Sequence, residues 1–293
     1  MSDAKYLVSG IPHIRGNSST QKIMLDFVIA LIPAICVHVY FFGLRALITV
    51  VSAVAACVFF EFAFQKIRKQ KTTISDGSAV VTGVLLALIL PASVNIAMPI
   101  AGSFFAIVIV KQLFGGIGSN FLNPALGAKV FLIMSYSSHV LITVHPVRSF
   151  GNISYVNINA LALLLGGLYL LIRKNISWRT PVFFILTTVL LVWVFGPESS
   201  FREIPVYGLL AGGLVIGAFF MATDYATSPV TPIGKIIMGV GCGLVTALMH
   251  LFGNASEGMI YAVLFMNLTV PLIDRFTKPA AFGKARKPGG NKS

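Results

Sequence analysis

The chain has 293 residues, of which 56% are hydrophobic and only 11% are charged. A soluble domain of this length does not need so large an apolar fraction, so the composition indicates a membrane protein with several spanning helices. The formal net charge is +13, but the basic residues lie in short segments beside apolar runs, as the positive-inside rule expects. This location argues against nucleic acid as a partner and for membrane lipid.

Ten apolar runs follow a polar, basic segment at 1–23. The first run lacks a cleavage site of small residues and is therefore predicted to be a span rather than a removed signal. We predict an all-α, polytopic protein with about ten transmembrane helices, although several runs are shorter than the ~20 residues that a full span prefers. The runs cover 24–43, 44–65, 77–91, 95–114, 121–135, 157–172, 180–196, 205–221, 234–253 and 257–273.

A weak internal repeat divides these runs into two groups of five. Leu113-Phe114-Gly115-Gly116 recurs 138 residues later as Leu251-Phe252-Gly253-Asn254, and the same offset carries Pro91 onto Pro229. Five spans per repeat would place the two halves in opposite membrane orientations. The predicted organisation is an N-terminal segment 1–23, a first repeat 24–135, an outer-face loop 136–156, a second repeat 157–273 and a basic tail 274–293.

The distribution of lysine and arginine predicts the orientation. If the N-terminus is cytoplasmic, 18 basic residues fall in inside segments and three, Arg45, Arg148 and Arg202, fall outside. We therefore expect a protein of the inner, cytoplasmic membrane with both termini in the cytoplasm.

Two broken stretches interrupt the apolar pattern. Gly217 to Lys235 reads GAFFMATDYATSPVTPIGK, and Ser75 to Pro91 reads SDGSAVVTGVLLALILP, so each carries one acid beside a span. Irregular backbone between spans is tolerated where it lines a cavity or faces water. Asp224 and Asp76 are accordingly ion-path candidates, although Asp224 could instead cap the next helix.

Other charged residues fall within or near the apolar runs. Lys129 lies mid-run and needs a partner, a polar cavity or a neighbouring subunit, which makes it a third ion-path candidate. Asp26, Glu61 and Lys111 lie near span ends and are expected to reach the membrane interface. Three cysteines, Cys36, Cys57 and Cys242, lie inside apolar runs without metal-ligand spacing, and no catalytic motif is present, so neither a metal site nor a catalytic residue is predicted.

A glycine- and asparagine-rich segment, FGGIGSNFLNPALG from Phe114 to Gly127, precedes the fifth run. Asn123 is placed to cap that helix, with Pro124 at its first position. The amide groups at such a helix start can also face an anion or a cofactor carbonyl.

Four long motifs resemble a known family. SDGSAVVTGVLLALILP, KQLFGGIGSNFLNPALGAKVF, FFMATDYATSPVTPIGKIIMG and EGMIYAVLFMNLTVPLIDR occur in the order found in the D subunit of the Rnf electron-transport complex. That family is homologous to the B subunit of the sodium-pumping NADH:quinone oxidoreductase. The resemblance, which covers about Ser9 to Arg275, implies a membrane subunit, working with other Rnf subunits, of an enzyme that couples electron transfer between ferredoxin and NAD to Na⁺ or H⁺ movement.

The resemblance also implies a flavin, commonly FMN joined to a threonine in a motif like DGxSGAT. This chain lacks that motif. The only threonine in the loop between the two halves is Thr143, which lies in the unrelated context LITVHP. We therefore expect FMN or riboflavin, if bound, to be held non-covalently in a mostly apolar slot with a few polar groups. The predicted walls of this slot are Gly115, Gly116, Asn120, Asn123, Thr227, Ser228 and Thr231.

Two alternatives stay open at this point. One is a stand-alone channel or carrier for a small solute, because repeated five-span halves also occur in such proteins and fold alone does not give function. The other is a scaffold subunit of the same complex that has lost its cofactor.

Overall fold

The computed structural model describes residues 19–70, 72–141, 146, 155–196, 213–253 and 257–278. Most of the predicted N-terminal segment, most of the loop 136–156 with Thr143, the stretch 197–212 and the basic tail after residue 278 lie outside these ranges.

Ten helices, one short 3₁₀ turn at Ile74–Asp76 and no strand occupy the described ranges. Two of the helices, α4 and α8, change from α to π winding towards their ends. This confirms the predicted all-α class. The helices are α1 (Thr20–Phe42), α2 (Leu44–Ile67), α3 (Ser78–Ile89), α4 (Ala97–Phe104, continued by the π-helix Phe105–Gln112), α5 (Pro124–Val140), α6 (Tyr155–Ile172), α7 (Arg179–Phe195), α8 (Gly213–Ile216, continued by the π-helix Gly217–Met221), α9 (Pro232–Phe252) and α10 (Gly258–Thr277).

Five of these helices, α1, α2, α6, α9 and α10, are long and apolar enough to cross a membrane, and α3, α4 and α7 are shorter apolar helices. The chain is therefore a multi-pass helical membrane protein. The ten helices of the described ranges match the ten predicted runs, whereas the division into two repeats stays a prediction. We call the face where α1 begins the near face, and the face where α1 ends the far face.

Helix α3 is too short to cross the bilayer. Its 12 residues span ~18 Å at 1.5 Å per residue, against a hydrocarbon core of ~30 Å. It begins at the near face, beside Met24 of α1, and ends at Ile89 within the bundle. Its short length leaves room for an opening that reaches inward from the far face.

Capping residues fix the starts of the two helices that follow the irregular stretches. The Asn123 side chain accepts from the backbone N–H groups of Ala125 and Leu126 at 3.1 and 3.3 Å, which confirms the predicted cap of α5. At α9 the cap is Thr231, whose Oγ1 accepts from Gly234 N at 3.0 Å. Asp224 therefore does not cap α9, and its carboxylate is left for another role.

Glycines allow the closest helix contacts. A Cβ atom at Gly166 of α6 would collide with the carbonyl oxygen of Ala30 on α1. At Gly239 of α9 a Cβ atom would lie 2.7 Å from the carbonyl oxygen of Thr180 on α7. Small residues let membrane helices approach in this way, where dispersion contacts rather than water exclusion drive association. The α1–α6 contact joins the first five helices to the last five.

Candidate functional site

A narrow cleft opens at the near face between α1, α3, α8 and the loops that precede α5 and α9. We call it the near cleft. Its polar wall is formed by Ser78, Thr82, Lys111, Asn120, Asn123 and Asp224. Its apolar wall contains Phe27, Val81, Leu85 and Phe220, and Ile117 and Tyr225 also line it.

The π-helical segments supply two of these residues. Lys111 lies on the π-helix at the end of α4, and Phe220 lies on the one at the end of α8. The i−5 bonds Gly116 N to Lys111 O (3.0 Å) and Ala222 N to Gly217 O (2.7 Å) continue this wider winding into the loops. π-helical turns occur frequently at functional sites, and here both turns face one cleft.

A buried ion pair stands behind the near cleft. Lys111 Nζ donates to Glu61 Oε1 and Oε2 at 2.8 and 3.0 Å, and the two residues are 3% and 0% exposed. Gln112 and Gln65 donate to the same carboxylate at 2.8 and 3.3 Å. The expectation that Glu61 and Lys111 reach the membrane interface is therefore wrong: the two charges neutralise each other inside the bundle, where an unpaired charge would be costly.

Lys111 also connects this ion pair to Asp76. Its Nζ donates to Ser78 Oγ at 2.6 Å, and that hydroxyl donates to Asp76 Oδ1 at 2.6 Å. Asp76 Oδ1 accepts in addition from Ser78 N at 2.8 Å, at the start of α3. Asp76 therefore holds the α3 N-terminus and orients Ser78, and it does not line the near cleft itself.

Asp224 lines the near cleft directly, on the wall that α8 and its following loop provide. It is half-buried, and its Oδ2 accepts from Thr227 Oγ1 at 3.3 Å. Burial raises the pKa of Asp224 above its ordinary value, against the smaller opposing effects of the Thr227 hydroxyl and the Lys111 charge. The cleft thus brings a protonatable carboxyl and an ammonium group to one space.

The two predicted cofactor walls meet through a residue that the sequence analysis did not single out. Asn267 of α10 is 2% exposed. Its amide, oriented by its hydrogen-bonding neighbours, accepts from Asn123 N at 3.1 Å and donates to Thr227 O at 3.1 Å. The loops before α5 and α9 are therefore tied to the same point of α10, and both face the near cleft.

The seven predicted cofactor residues separate into two groups. Asn120 and Asn123 line the near cleft, whereas the other five do not. Gly115 and Gly116 shape the turn after α4, with φ of 111° and 90°, which residues with a side chain rarely adopt. Thr227 bonds Asp224, Thr231 caps α9, and Ser228 lines a different opening on the near face.

A second opening, the far cleft, enters from the opposite face. It consists of two adjoining hollows that share Leu88, Ile89, Lys129, Tyr155 and Glu257. Lys129 Nζ donates to Glu257 Oε1 at 3.0 Å and to the carbonyl oxygen of Ile89 at 2.5 Å. The predicted need of Lys129 for a partner and a polar cavity is met by an ion pair between α5 and the residue that precedes α10.

Two further polar side chains line the far cleft. His38 of α1 shares a hydrogen bond between its Nδ1 and the Tyr155 hydroxyl at 3.0 Å, and Asn159 of α6 lies one turn beyond Tyr155. Within the described ranges, Nε2 of His38 and Oδ1 of Asn159 are buried without a partner, as is Oδ1 of Asn120 in the near cleft. A buried polar atom of this kind is costly unless water or a ligand supplies its hydrogen bond.

A thin apolar barrier separates the two clefts. On α3, Leu85 lines the near cleft and Leu88 lines the far cleft. Three residues along a helix correspond to ~5 Å. On α8 the corresponding residues are Phe220 and Ile216, and the Phe220 ring meets Phe27 of α1 edge to face at 6.4 Å between centroids.

Asp26, which was also expected at the membrane interface, pairs at the near face with the exposed Arg173. Its carboxylate is buried and accepts from Tyr169 (3.0 Å), Arg173 (3.2 and 3.3 Å) and Asn175 (2.8 Å). These groups come from α6 and the turn after it. The cluster is structural, because it fastens the first half to the second at the near face and lines neither cleft.

No group of three histidine, cysteine or carboxylate side chains is placed to hold a metal ion within the part of the chain that the structure describes. Cys57 and Cys242 are buried among apolar residues. The absence of a metal site therefore stays a prediction for the chain as a whole.

Comparison with known proteins identifies the family. A sequence model of the "NQR2, RnfD, RnfE family" matches residues 7–283. The chain is 42% identical to the D subunit of the Na(+)-translocating ferredoxin:NAD(+) oxidoreductase complex of Acetobacterium woodii, over 97% of both chains. It is 37% identical to the D subunit of the proton-translocating ferredoxin:NAD(+) oxidoreductase complex of Clostridium ljungdahlii, over 96% of this chain and 97% of that one.

A third relative is the D subunit of the ion-translocating oxidoreductase complex of Methanosarcina acetivorans, which is 36% identical over 95% of this chain and 97% of that one. The resemblance carried by the four motifs is confirmed by these matches. The chain belongs to the NQR2, RnfD, RnfE family.

Proposed function

We propose that this chain is the D-type membrane subunit of a ferredoxin:NAD⁺ oxidoreductase complex that moves Na⁺ or H⁺ across the cytoplasmic membrane. The observation that carries the proposal is the similarity over nearly the full length to proteins named as such subunits. Its partners are then the other subunits of an Rnf complex. The two opposed clefts, each with charged side chains, supply what an ion-moving subunit needs.

The near face is the cytoplasmic one in this proposal. The predicted inside segments carry 18 of the basic residues, and the positive-inside rule places such segments in the cytoplasm. The near cleft then opens toward the cytoplasm and the far cleft toward the outside, with both termini in the cytoplasm.

The near cleft is the proposed site of a non-covalent FMN or riboflavin. Its apolar residues Phe27, Leu85 and Phe220 are of the kind that contact a flavin ring, and the free Oδ1 of Asn120 is an acceptor for a ring N–H. The cleft encloses only about 50 Å³, so these side chains would have to move apart to admit the ring. The Lys111 ammonium would favour the negative charge of a reduced flavin. A bound flavin would supply electron transfer; the chain's residues hold it, orient it and exclude water from it.

The proposed ion path runs from the near cleft to the far cleft. Asp224 is the residue at which a cation or proton would first be held, because its carboxyl group lines the near cleft and burial raises its pKa, which favours the proton-bound form. Phe27 and Phe220 are the barrier. Lys129 and Glu257 close the far cleft, since a cation arriving there would compete with Lys129 for the Glu257 carboxylate.

A stand-alone carrier is the second candidate, and the feature in its favour is that both clefts lie within one chain. Gentle purification distinguishes the two. A subunit of the complex co-purifies with several different proteins and with ferredoxin:NAD⁺ oxidoreductase activity, whereas a carrier is isolated alone or with copies of itself. Isolation of the intact chain from its own membranes without other subunits and without that activity would reject the proposal.

A further inference from the structure

A third opening on the near face is basic, and no step of the proposed ion path uses it. It lies between the α6–α7 turn and the α8–α9 loop. We call it the basic cleft. Its charged and hydroxyl residues are Lys174, Ser177, Arg179, Thr180, Thr223, Tyr225, Ser228 and Lys235. Tyr225 lines both the basic cleft and the near cleft and therefore separates them.

The three cations of the basic cleft lack acidic partners within the described residues. The ion pairs there are Lys111–Glu61, Lys129–Glu257 and Arg173–Asp26, so Lys174, Arg179 and Lys235 remain without a carboxylate. Arg179 and Lys235 are nevertheless half-buried. These two half-buried, unpaired positive charges share one opening with the exposed Lys174, and together they create a positive local potential for an anion.

Each cation also stands where local structure disfavours it. Lys174 has a φ of 58°, a left-handed conformation that normally takes glycine or asparagine. Arg179 begins α7 and Lys235 lies in the first turn of α9, and neither first turn contains an acid. Because a helix N-terminus carries partial positive charge, a cation there is unfavourable. An anion in the basic cleft would offset the two conflicts at the helix N-termini.

The rim of the basic cleft indicates where the anion comes from. Trp178, Val230 and Ile233 flank it and are 53%, 82% and 62% exposed. Exposed tryptophan and aliphatic side chains next to lysine and arginine are typical of the membrane–water interface. The opening therefore meets the headgroup level of the bilayer rather than bulk water alone.

We propose that the basic cleft binds the phosphate headgroup of an anionic membrane lipid, through Lys174, Arg179 and Lys235. The positive-inside rule accounts for basic residues on this face, but it does not require three of them to converge on one opening from two separate loops. The shared chemistry with a soluble phosphate compound is the phosphate group, and the apolar rim favours the lipid as its source.

The test is lipid binding to the purified full chain, measured by native mass spectrometry with phosphatidylglycerol and, for comparison, phosphatidylcholine. We expect Lys235→Gln and Lys174→Gly each to weaken phosphatidylglycerol binding about fivefold, the effect of one basic residue near an anionic surface. Binding of phosphatidylcholine should not change. Millimolar inorganic phosphate should not displace the lipid.

The matched control is Lys69→Gly. Lys69 also has a left-handed conformation, with φ of 53°, and its turn after α2 repeats the hydrogen bonds of the Lys174 turn: Lys69 N to Lys66 O and Lys174 N to Leu171 O, both near 3 Å. It lies outside the basic cleft. Lys69→Gly should bind lipid like the wild type, and Lys174→Gly should unfold at no lower a temperature, because glycine relieves the left-handed conformation.

Three results would overturn the proposal. Equal phosphatidylglycerol binding in the wild type, Lys235→Gln and Lys174→Gly is one. Equal weakening by Lys69→Gly, which would mean a diffuse charge effect, is another. The third is saturable binding of inorganic phosphate that displaces the lipid and is lost in Lys235→Gln, which would assign the basic cleft to a soluble phosphate compound.

Discussion

Lys111, on the π-helical end of α4, donates to both carboxylate oxygens of Glu61 on α2, at 2.8 and 3.0 Å, and neither residue is more than 3% exposed. A buried pair of this kind adds little net stability compared with apolar residues, but losing one partner leaves an uncompensated charge. The pair fixes the Lys111 ammonium at the wall of the near cleft, 2.6 Å from Ser78 Oγ. The pair therefore holds the Lys111 ammonium in one position, with its charge balanced by Glu61.

Replacing Glu61 alone should damage the fold more than replacing both partners. Glu61→Leu should destabilise the protein by about 3–5 kcal/mol, because Lys111 then remains buried without its carboxylate. The double variant Glu61→Leu, Lys111→Met should recover most of that loss, because no unpaired charge then remains buried. Unfolding in mixed micelles, followed by circular dichroism, measures the stabilities. A double variant no more stable than Glu61→Leu would contradict this account.

Asp224 should make stability depend on pH in one direction. Its pKa is raised by burial from the ordinary 3.8, so the folded protein holds the proton more tightly than the unfolded chain. Stability therefore falls as the pH rises from about 3.8 through the raised value, and it stays lower above that value. Asp224→Asn should remove this slope and be relatively more stable at neutral pH. If the melting temperatures of the wild type and Asp224→Asn change with pH in the same way between about pH 4 and pH 8, Asp224 is not the source of this pH dependence.

Ion uptake should be affected more strongly by a substitution at Asp224 than by one at Asp76. In membranes that contain the whole complex, Asp224→Asn should lower cation uptake at least about tenfold while electron transfer continues, because a neutral amide holds neither a proton nor a cation. Asp76→Asn should have a smaller effect, since its amide oxygen can still accept from Ser78 N. Wild-type uptake in the Asp224→Asn complex would reject Asp224 as an ion-path residue.

The Lys129–Glu257 pair should matter for exit at the far face. Glu257 is 25% exposed, and Glu257→Gln keeps an oxygen that can still accept from the buried Lys129, so it should cost less stability than Glu61→Leu and should mainly reduce ion uptake. The control is Arg45→Gln, which removes an exposed charge on the same face outside the far cleft. Equal ion uptake by the Glu257→Gln and Arg45→Gln complexes would show that the Lys129–Glu257 pair does not close the far cleft.

Gly166 should be intolerant of alanine. A Cβ atom there would collide with Ala30 O, and overpacking of this kind typically costs about 1–3 kcal/mol. Gly213→Ala is the matched control, because no atom of the described residues lies within 4 Å of the added atom. The yield of monodisperse protein after heating in detergent should fall for Gly166→Ala only. A similar loss in both variants would point to a backbone effect of alanine rather than to the α1–α6 contact.

The sequence predicted the helices well, because long apolar runs leave little choice in a membrane. It also predicted the Asn123 cap and the need of Lys129 for a partner. It could not pair Glu61 with Lys111, since 50 residues separate them and each lies near a span end, where reaching the interface is the simpler expectation. A signal was nevertheless present: one acid and one base in apolar runs of the same half are candidates for each other.

Asn267 and Glu257 illustrate what pattern alone does not reveal. Asn267 is an ordinary polar residue in an apolar run, and its role depends on meeting the backbone of Asn123 and Thr227, which are distant in sequence. Glu257 lies just before α10, where the sequence suggests an ordinary acidic residue of a loop. Both depend on how the last five helices pack against the first five, and no local propensity encodes that arrangement.

The most direct test of the central claim is the flavin content of the purified protein before and after acid denaturation, with Asn120→Leu as the comparison. We predict that flavin co-purifies with the wild type, is released into the supernatant on denaturation and is depleted in Asn120→Leu, whose near cleft lacks the Asn120 acceptor. Flavin that stays with the denatured protein, or no flavin in a protein that still binds its partners, would contradict the account.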